Sequence, residues 1–172
     1  MDRVTLPGTV GLTHVGGVAG RLIRWGQALD GARWPQWEHA LIAVGDGTIV
    51  EARPDGAVRV PEGQATGDGI WWWAPLVGQS VRVMAAEAAV GMVGTPYGWV
   101  DYAALAAVRL GLRHVLPGVE HRAASDTTMI CSQLVAAAYE KAGIQLVPGH
   151  PAWDVTPADL ADQAHRDGWA AA

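Results

Sequence analysis

Trp37–Arg53 reads WEHALIAVGDGTIVEAR. Two apolar, β-rich runs, Ala40–Val44 and Thr48–Ala52, flank Gly45-Asp46-Gly47, and Asp-Gly between such runs is the strongest short-range signal for a tight β-hairpin. His39 opens the first strand, and Glu51 interrupts the apolar run of the second. A histidine and a carboxylate on neighbouring strands make half of a catalytic constellation. The missing half is a nucleophile, and the chain holds a single cysteine, Cys131. Pairing parity complicates this picture. A strict two-residue turn at Asp46-Gly47 sets Glu51 opposite Ile42, on the face away from His39. A bulge or an odd-length loop, which glycine at 45 or 47 permits, brings it back. Asp55, just past the second strand, is the alternative orienting acid.

Working outward, Gly8–Thr13 is short and β-like, a first strand or a loop beside the site. Gly17–Leu29 places Val18, Leu22, Trp25 and Leu29 three and four apart, which predicts an amphipathic helix with Arg21 and Arg24 on its other face. Asp30–Gln36 is a loop. After the hairpin, Pro54-Asp55-Gly56 is a turn, Ala57–Val60 a short strand, Pro61–Gly69 a loop and Ile70–Pro75 another strand. Ser80 is placed to cap a helix to Val93, with Gly94 as its stop. Val100–Leu112 is a second apolar helix candidate, and Arg113–Ser125 is irregular, the candidate for a mobile or substrate-facing segment. Asp126 or Thr127 caps a helix over about Thr128 to Ala142 with Leu134, Val135, Ala138 and Ala142 as its buried stripe. Cys131 falls in its first turn. Thr156-Pro157-Ala158-Asp159 then opens a short helix to about His165. Strands clustered centrally and helices segregated from them read as α+β.

At 172 residues, half of them apolar and 17% charged, the chain fits one folded domain with a substantial core. The formal net charge of −5 comes with no Lys/Arg cluster, which argues against nucleic acid as a partner. One cysteine excludes an intramolecular disulfide and a Cys-rich zinc site. The N-terminus shows no basic segment followed by an apolar one, so no signal peptide is evident. Val81–Leu112, broken by Glu87, Pro96, Asp101 and Arg109, cannot supply the ~20 uninterrupted apolar residues of a membrane span. The expectation is a cytoplasmic protein, or one delivered by a non-standard route. Nine tryptophans and no phenylalanine are unusual. Trp71-Trp72-Trp73 is hard to bury whole, because adjacent strand residues point to opposite faces. Either two layers cover that strand, or one indole face lines a groove.

The chemistry follows from the residue types. The thiolate is the reactive form of cysteine, and a helix's first turn stabilises it through unpaired N–H groups and the macrodipole. A neighbouring imidazole adds a charge-sharing hydrogen bond, and a carboxylate such as Glu51 fixes the ring and stabilises imidazolium. The Cys131 backbone N–H supplies one side of an oxyanion hole. Each residue also has a plainer reading. A lone cysteine in the apolar run ICSQLVAAAY is often a small buried hydrophobe, and a lone histidine is often structural. Ser132 with any of the six histidines would make a serine hydrolase, but no G-x-S-x-G surrounds it. His114 and His121 lack the spacing and flanking ligands of a metal site, and no cofactor is implied.

His39–Glu51, HALIAVGDGTIVE, resembles the H-x-x-I-Y-V-G-D-G-x-V-x-H hairpin of lecithin:retinol acyltransferase-like proteins, with Glu51 where those carry a second histidine. Glu51-Ala52 is similar to the E-A pair of circularly permuted bacterial members of the NlpC-type papain-like superfamily. GTPYGW (Gly94–Trp99), CSQLV (Cys131–Val135) and AGIQLVP (Ala142–Pro148) resemble three blocks of NlpC-type cell-wall hydrolases. In those enzymes the cysteine precedes the histidine, whereas here His39 precedes Cys131, so the permuted branch is the match. The joint match covers roughly two thirds of the chain. ICSQLV stands where the acyltransferase group has N-C-x-H-F-V, which weakens a lipid acyltransferase assignment.

The resemblance implies one permuted papain-like domain over residues 1–172, a small antiparallel sheet with the Cys131 helix packed against it. It implies thiol-dependent hydrolysis of an amide or ester in a peptide or cell-wall muropeptide, without metal or cofactor. Cys131 would be the nucleophile, His39 the general base and acid, and Glu51 the orienter. Tyr97, Trp99 and Ser132 would contact substrate. A thioesterase, lipase or acyltransferase acting on acyl substrates is the enzymatic alternative. A non-catalytic binding or structural module that has kept the fold is the alternative from another class.

Overall fold

The computed structural model describes residues 5–29, 31–96 and 130–172. The side chains of Val18, Ala19 and Leu22 lie outside that description, as do the expected Val100–Leu112 helix, the Arg113–Ser125 segment, the caps Asp126 and Thr127, and Tyr97 and Trp99. Six strands form one antiparallel sheet: β1 (Val10–His14), β2 (His39–Ala43), β3 (Thr48–Arg53), β4 (Gly56–Pro61), β5 (Asp68–Ala74) and β6 (Ala170–Ala171). Their order is β4-β3-β2-β1-β5-β6, so the hairpin strand that begins with His39 is central. Four α-helices accompany them among the described residues: α1 (Gly17–Leu29), α2 (Gln79–Val90), α3 (Cys131–Lys141) and α4 (Pro157–Asp167). Short 3-10 turns occupy Glu62–Gln64 and Ala152–Asp154. This is an α+β protein.

All five residues of β2 are buried, as expected of an unbroken apolar strand covered on both faces. Ala40, Ile42, Val50 and Ala52 join Leu134, Val135, Ala138 and Ala142 in the main core, where α3 lies on β2 and β3. On the other face Leu41 and Ile49 are also fully buried. Close approach there depends on Gly11 of β1, where a Cβ would stand 2.5 Å from a Leu41 methyl carbon and 2.8 Å from the Trp72 ring.

The tryptophan triplet splits between the two faces, as strand geometry requires. Trp71 and Trp73 both meet Trp37 edge-on, at ring separations of 5.9 and 6.3 Å. Trp72 lies across Gly11 on the opposite side.

Helix α1 has the expected bounds but not the expected face. Trp25 is 72% and Leu29 59% exposed, whereas Gln27 is buried. Its carboxamide donates to the carbonyls of Pro35 and Trp37 and accepts from the Ala158 N–H at the start of α4. These polar bonds tie the helix to the Pro35–Trp37 segment and to α4. Helix α2 begins two residues earlier than a Ser80 cap would place it, with extended Gly78 as its N-cap, a position glycine tolerates well. Helix α3 begins at Cys131 instead of about Thr128, because Ile130 is extended (φ −93°, ψ 168°). Thr156 and Asp159 cap α4 reciprocally, and the helix continues past His165 to a left-handed Gly168. No helix among the described residues is long and apolar enough to cross a membrane.

Candidate active site

The hairpin loop decides where Glu51 points. Leu41 pairs with Glu51, Ile42 with Val50 and Ala43 with Ile49, and the Val44 N–H donates to the Thr48 carbonyl at 2.9 Å. Gly45-Asp46-Gly47 is therefore a loop of odd length, with both glycines at positive φ. Glu51 leaves the sheet on the face of His39, and the diagonal across the two strands is short enough for both side chains to meet. His39 Nε2 lies 2.5 Å from Glu51 Oε2, with the carboxylate fully excluded from solvent. Asp55, in the turn after β3, is exposed and is not the partner.

Cys131 reaches this pair from the other side of the sheet. His39 is the first residue of β2, and the β2–β3 pairing has stopped at Leu41–Glu51. At that open end the first residue of α3 meets the imidazole. The thiol and the ring are close enough for the charge of each to act on the other, and the backbone N–H groups of Ala40 and Ser132 favour the thiolate. With Nε2 held by Glu51, Nδ1 is the ring nitrogen left for the thiol.

The electrostatics follow from these contacts. Burial by itself would lower the His39 pKa. The charge and hydrogen bond of Cys131, followed by those of Glu51, outweigh burial and raise it from 6.5 to about 9. For Cys131, burial favours the neutral thiol, but the His39 charge, its hydrogen bond and the two backbone donors bring the pKa below its ordinary value. Burial would likewise raise Glu51, and His39 followed by Arg53 holds it below the usual carboxylate range. These shifts all favour a thiolate beside an imidazolium beside a carboxylate.

Further residues fix these groups. Glu51 Oε1 accepts from Arg53 Nε at 2.8 Å and forms an ion pair with Arg53 Nη2 at 2.7 Å. The Thr66 hydroxyl and N–H, each 3.1 Å away, complete the set on Oε1. Thr66 is itself held by the Thr13 hydroxyl, which donates to its carbonyl at 2.8 Å. The chain can pass this close only because residue 67 is glycine: at φ +101° a Cβ there would stand 2.4 Å from Thr13 Oγ1. Upstream of His39, buried Glu38 accepts from the Val15 and Gly16 N–H groups at 2.6 and 2.9 Å and forms an ion pair with Arg24 Nε at 2.6 Å.

Among the sequence-derived candidates, Cys131, His39 and Glu51 come together. Ser132 is fully buried, and its hydroxyl donates to the Val155 carbonyl at 2.7 Å, bracing the start of α3. Gln133 does the same, accepting from the Ile130 N–H and donating to the Trp153 carbonyl. Tyr97 and Trp99 lie outside the described residues. Arg53 and Thr66 escaped the sequence reading. Arg53 carried a signal, since it stands two residues from Glu51 on one strand and must share its face. Thr66 carried none.

Comparison of the chain with protein-family models, with curated proteins and with solved structures gives no match. The functional reading therefore rests on the geometry. No group of three or more His, Cys, Asp or Glu side chains among the described residues is arranged to hold a metal.

Proposed function

We propose that this protein is a thiol-dependent hydrolase of the circularly permuted papain-like type, cleaving an amide or ester through Cys131, His39 and Glu51. The observation that carries the reading is a cysteine at a helix N-terminus that shares charge with an imidazole whose far nitrogen is held at 2.5 Å by a buried carboxylate. Chain order supports the permuted form, because His39 and Glu51 precede Cys131. The sequence resemblance favours a peptide or cell-wall muropeptide as substrate.

The Cys131 thiolate attacks the scissile carbonyl carbon. The oxygen that gains charge is received at the start of α3, where the Cys131 N–H has no acceptor within the helix. Imidazolium His39 gives its proton to the leaving amine or alcohol as the tetrahedral intermediate collapses to a thioester. Neutral His39 next takes a proton from water, hydroxide adds to the thioester, and collapse returns the thiolate and imidazolium. Glu51 holds the ring in one orientation and offsets its charge throughout.

The deciding measurement is the pH dependence of Cys131 alkylation by iodoacetamide, in wild type and in His39→Ala. Labelling well below the ~8.5 pKa of a free thiol, abolished in the variant, is the expected result. Slow labelling indifferent to His39 overturns the reading. That outcome would select a second one, a binding module that has kept the constellation, which rests on the 4% exposure of Cys131.

A further inference from the structure

We propose that Arg53 is a positioning residue of this same site, acting through Glu51 to hold the carboxylate charged and aimed at His39. The inference rests on the thiol hydrolase reading above. Glu51 has no exposure to water. A carboxylate in such a place protonates unless cations and donors satisfy both oxygens. His39 takes Oε2, while Arg53 takes Oε1, donating through Nε and keeping Nη2 within ion-pair distance. The guanidinium is anchored in turn, with Nη2 also donating to the Gln64 carbonyl at 2.5 Å. Thr66 adds its hydroxyl to Oε1 and its N–H to both oxygens. This geometry leaves Glu51 a single orientation.

The charges alternate along the line. Thiolate Cys131, imidazolium His39, carboxylate Glu51 and guanidinium Arg53 sum to zero, so the ion pair forms without leaving a net charge in the interior. Among the described residues, the charged groups facing Glu51 are His39 from β2 and Arg53 from β3. The segment before β5 contributes uncharged Thr66, and Cys131 of α3 acts through His39. Without the Arg53 charge, Glu51 takes up a proton at higher pH. A neutral acid no longer stabilises imidazolium, and the thiolate is lost with it. A residue that served only the fold would change how much protein is active, not the pH at which activity appears.

The test is the pH profile of Cys131 alkylation by iodoacetamide in the full chain. Arg53→Gln moves the acid limb toward neutrality by about one unit, a tenfold slower labelling at a fixed acidic pH. Arg53→Lys, which keeps the charge, restores most of that shift. In a Glu51→Gln background, adding Arg53→Gln moves nothing further, because the group it acts through is gone. This pair also serves if Arg53→Gln alone does not fold, since removing both partners does not leave the buried Glu51 charge without its cation. An acid limb unmoved in Arg53→Gln overturns the proposal. So does failure of lysine to rescue, or a further shift when Arg53 is removed in the absence of Glu51. Wild-type labelling that ignores His39 removes the hydrolase reading and this inference together. Labelling that needs His39 and Glu51 but not Arg53 removes this inference alone.

Discussion

Leu41 and Glu51 stand opposite each other in the β2–β3 ladder, which puts Glu51 one diagonal step from His39 on a common face. Glu51→Gln keeps the shape of the side chain and removes its charge. Alkylation of Cys131 at acidic to neutral pH is expected to fall about tenfold or more, a tenfold change marking each unit of pKa. The folded content, followed by circular dichroism, stays the same. An unchanged labelling profile would show that Glu51 does not support the imidazolium.

Alkylation and turnover should part company at high pH. The His39 imidazolium loses its proton as pH rises through about 9. Turnover of a peptide or ester needs that proton for the leaving group and declines there. Alkylation needs only the thiolate and persists. On the acid side both decline together, because Cys131 and Glu51, each held below its ordinary value, take up protons as pH falls. Rate profiles that decline in parallel on the alkaline side would contradict the assigned role of His39.

Ser132→Ala should cost stability and spare reactivity. It leaves the buried Val155 carbonyl without its donor, a loss of about 1–3 kcal/mol readable by urea unfolding. The Ser132 backbone N–H still reaches the sulfur, so the alkylation profile keeps its wild-type position. A displaced profile would mean that the hydroxyl acts on the site after all.

Glu38→Gln should loosen α1. The buried carboxylate gathers two backbone N–H groups and Arg24 at the entrance to this helix, and an amide replaces the ionic bonds with weaker ones. A loss of about 1–3 kcal/mol is expected, with hydrogen exchange accelerated in Gly17–Leu29 ahead of the sheet. Uniform acceleration across the molecule would mean that Glu38 supports the whole fold and not this helix.

What the sequence disclosed follows from how local each feature is. Turn residues and apolar runs gave the hairpin, and spacing of three and four gave the bounds of α1. The capping signal at Thr156 gave the start of α4. The face of α1 was not legible, because Gln27 and Glu38 secure it through partners distant in the chain, leaving Trp25 and Leu29 outside. Parity of the hairpin was legible only as a choice, since Gly45-Asp46-Gly47 allows loops of two lengths. Thr66 owes its place to Thr13 and to the lack of a side chain at Gly67, a long-range coincidence that no periodicity announces.

The open end of the β2–β3 ladder has a consequence for how this protein would fail. His39, Glu51 and Arg53 belong to one hairpin and keep their mutual aim as long as the strands stay paired. Cys131 is delivered by a helix whose first turn is moored through Ser132 and Gln133 to Val155 and Trp153. Loosening that mooring would lift the sulfur from the ring while the sheet remained intact. On gradual heating, thiol reactivity would then disappear before the strands melt, which makes Cys131 a sensor of docking between helix and sheet.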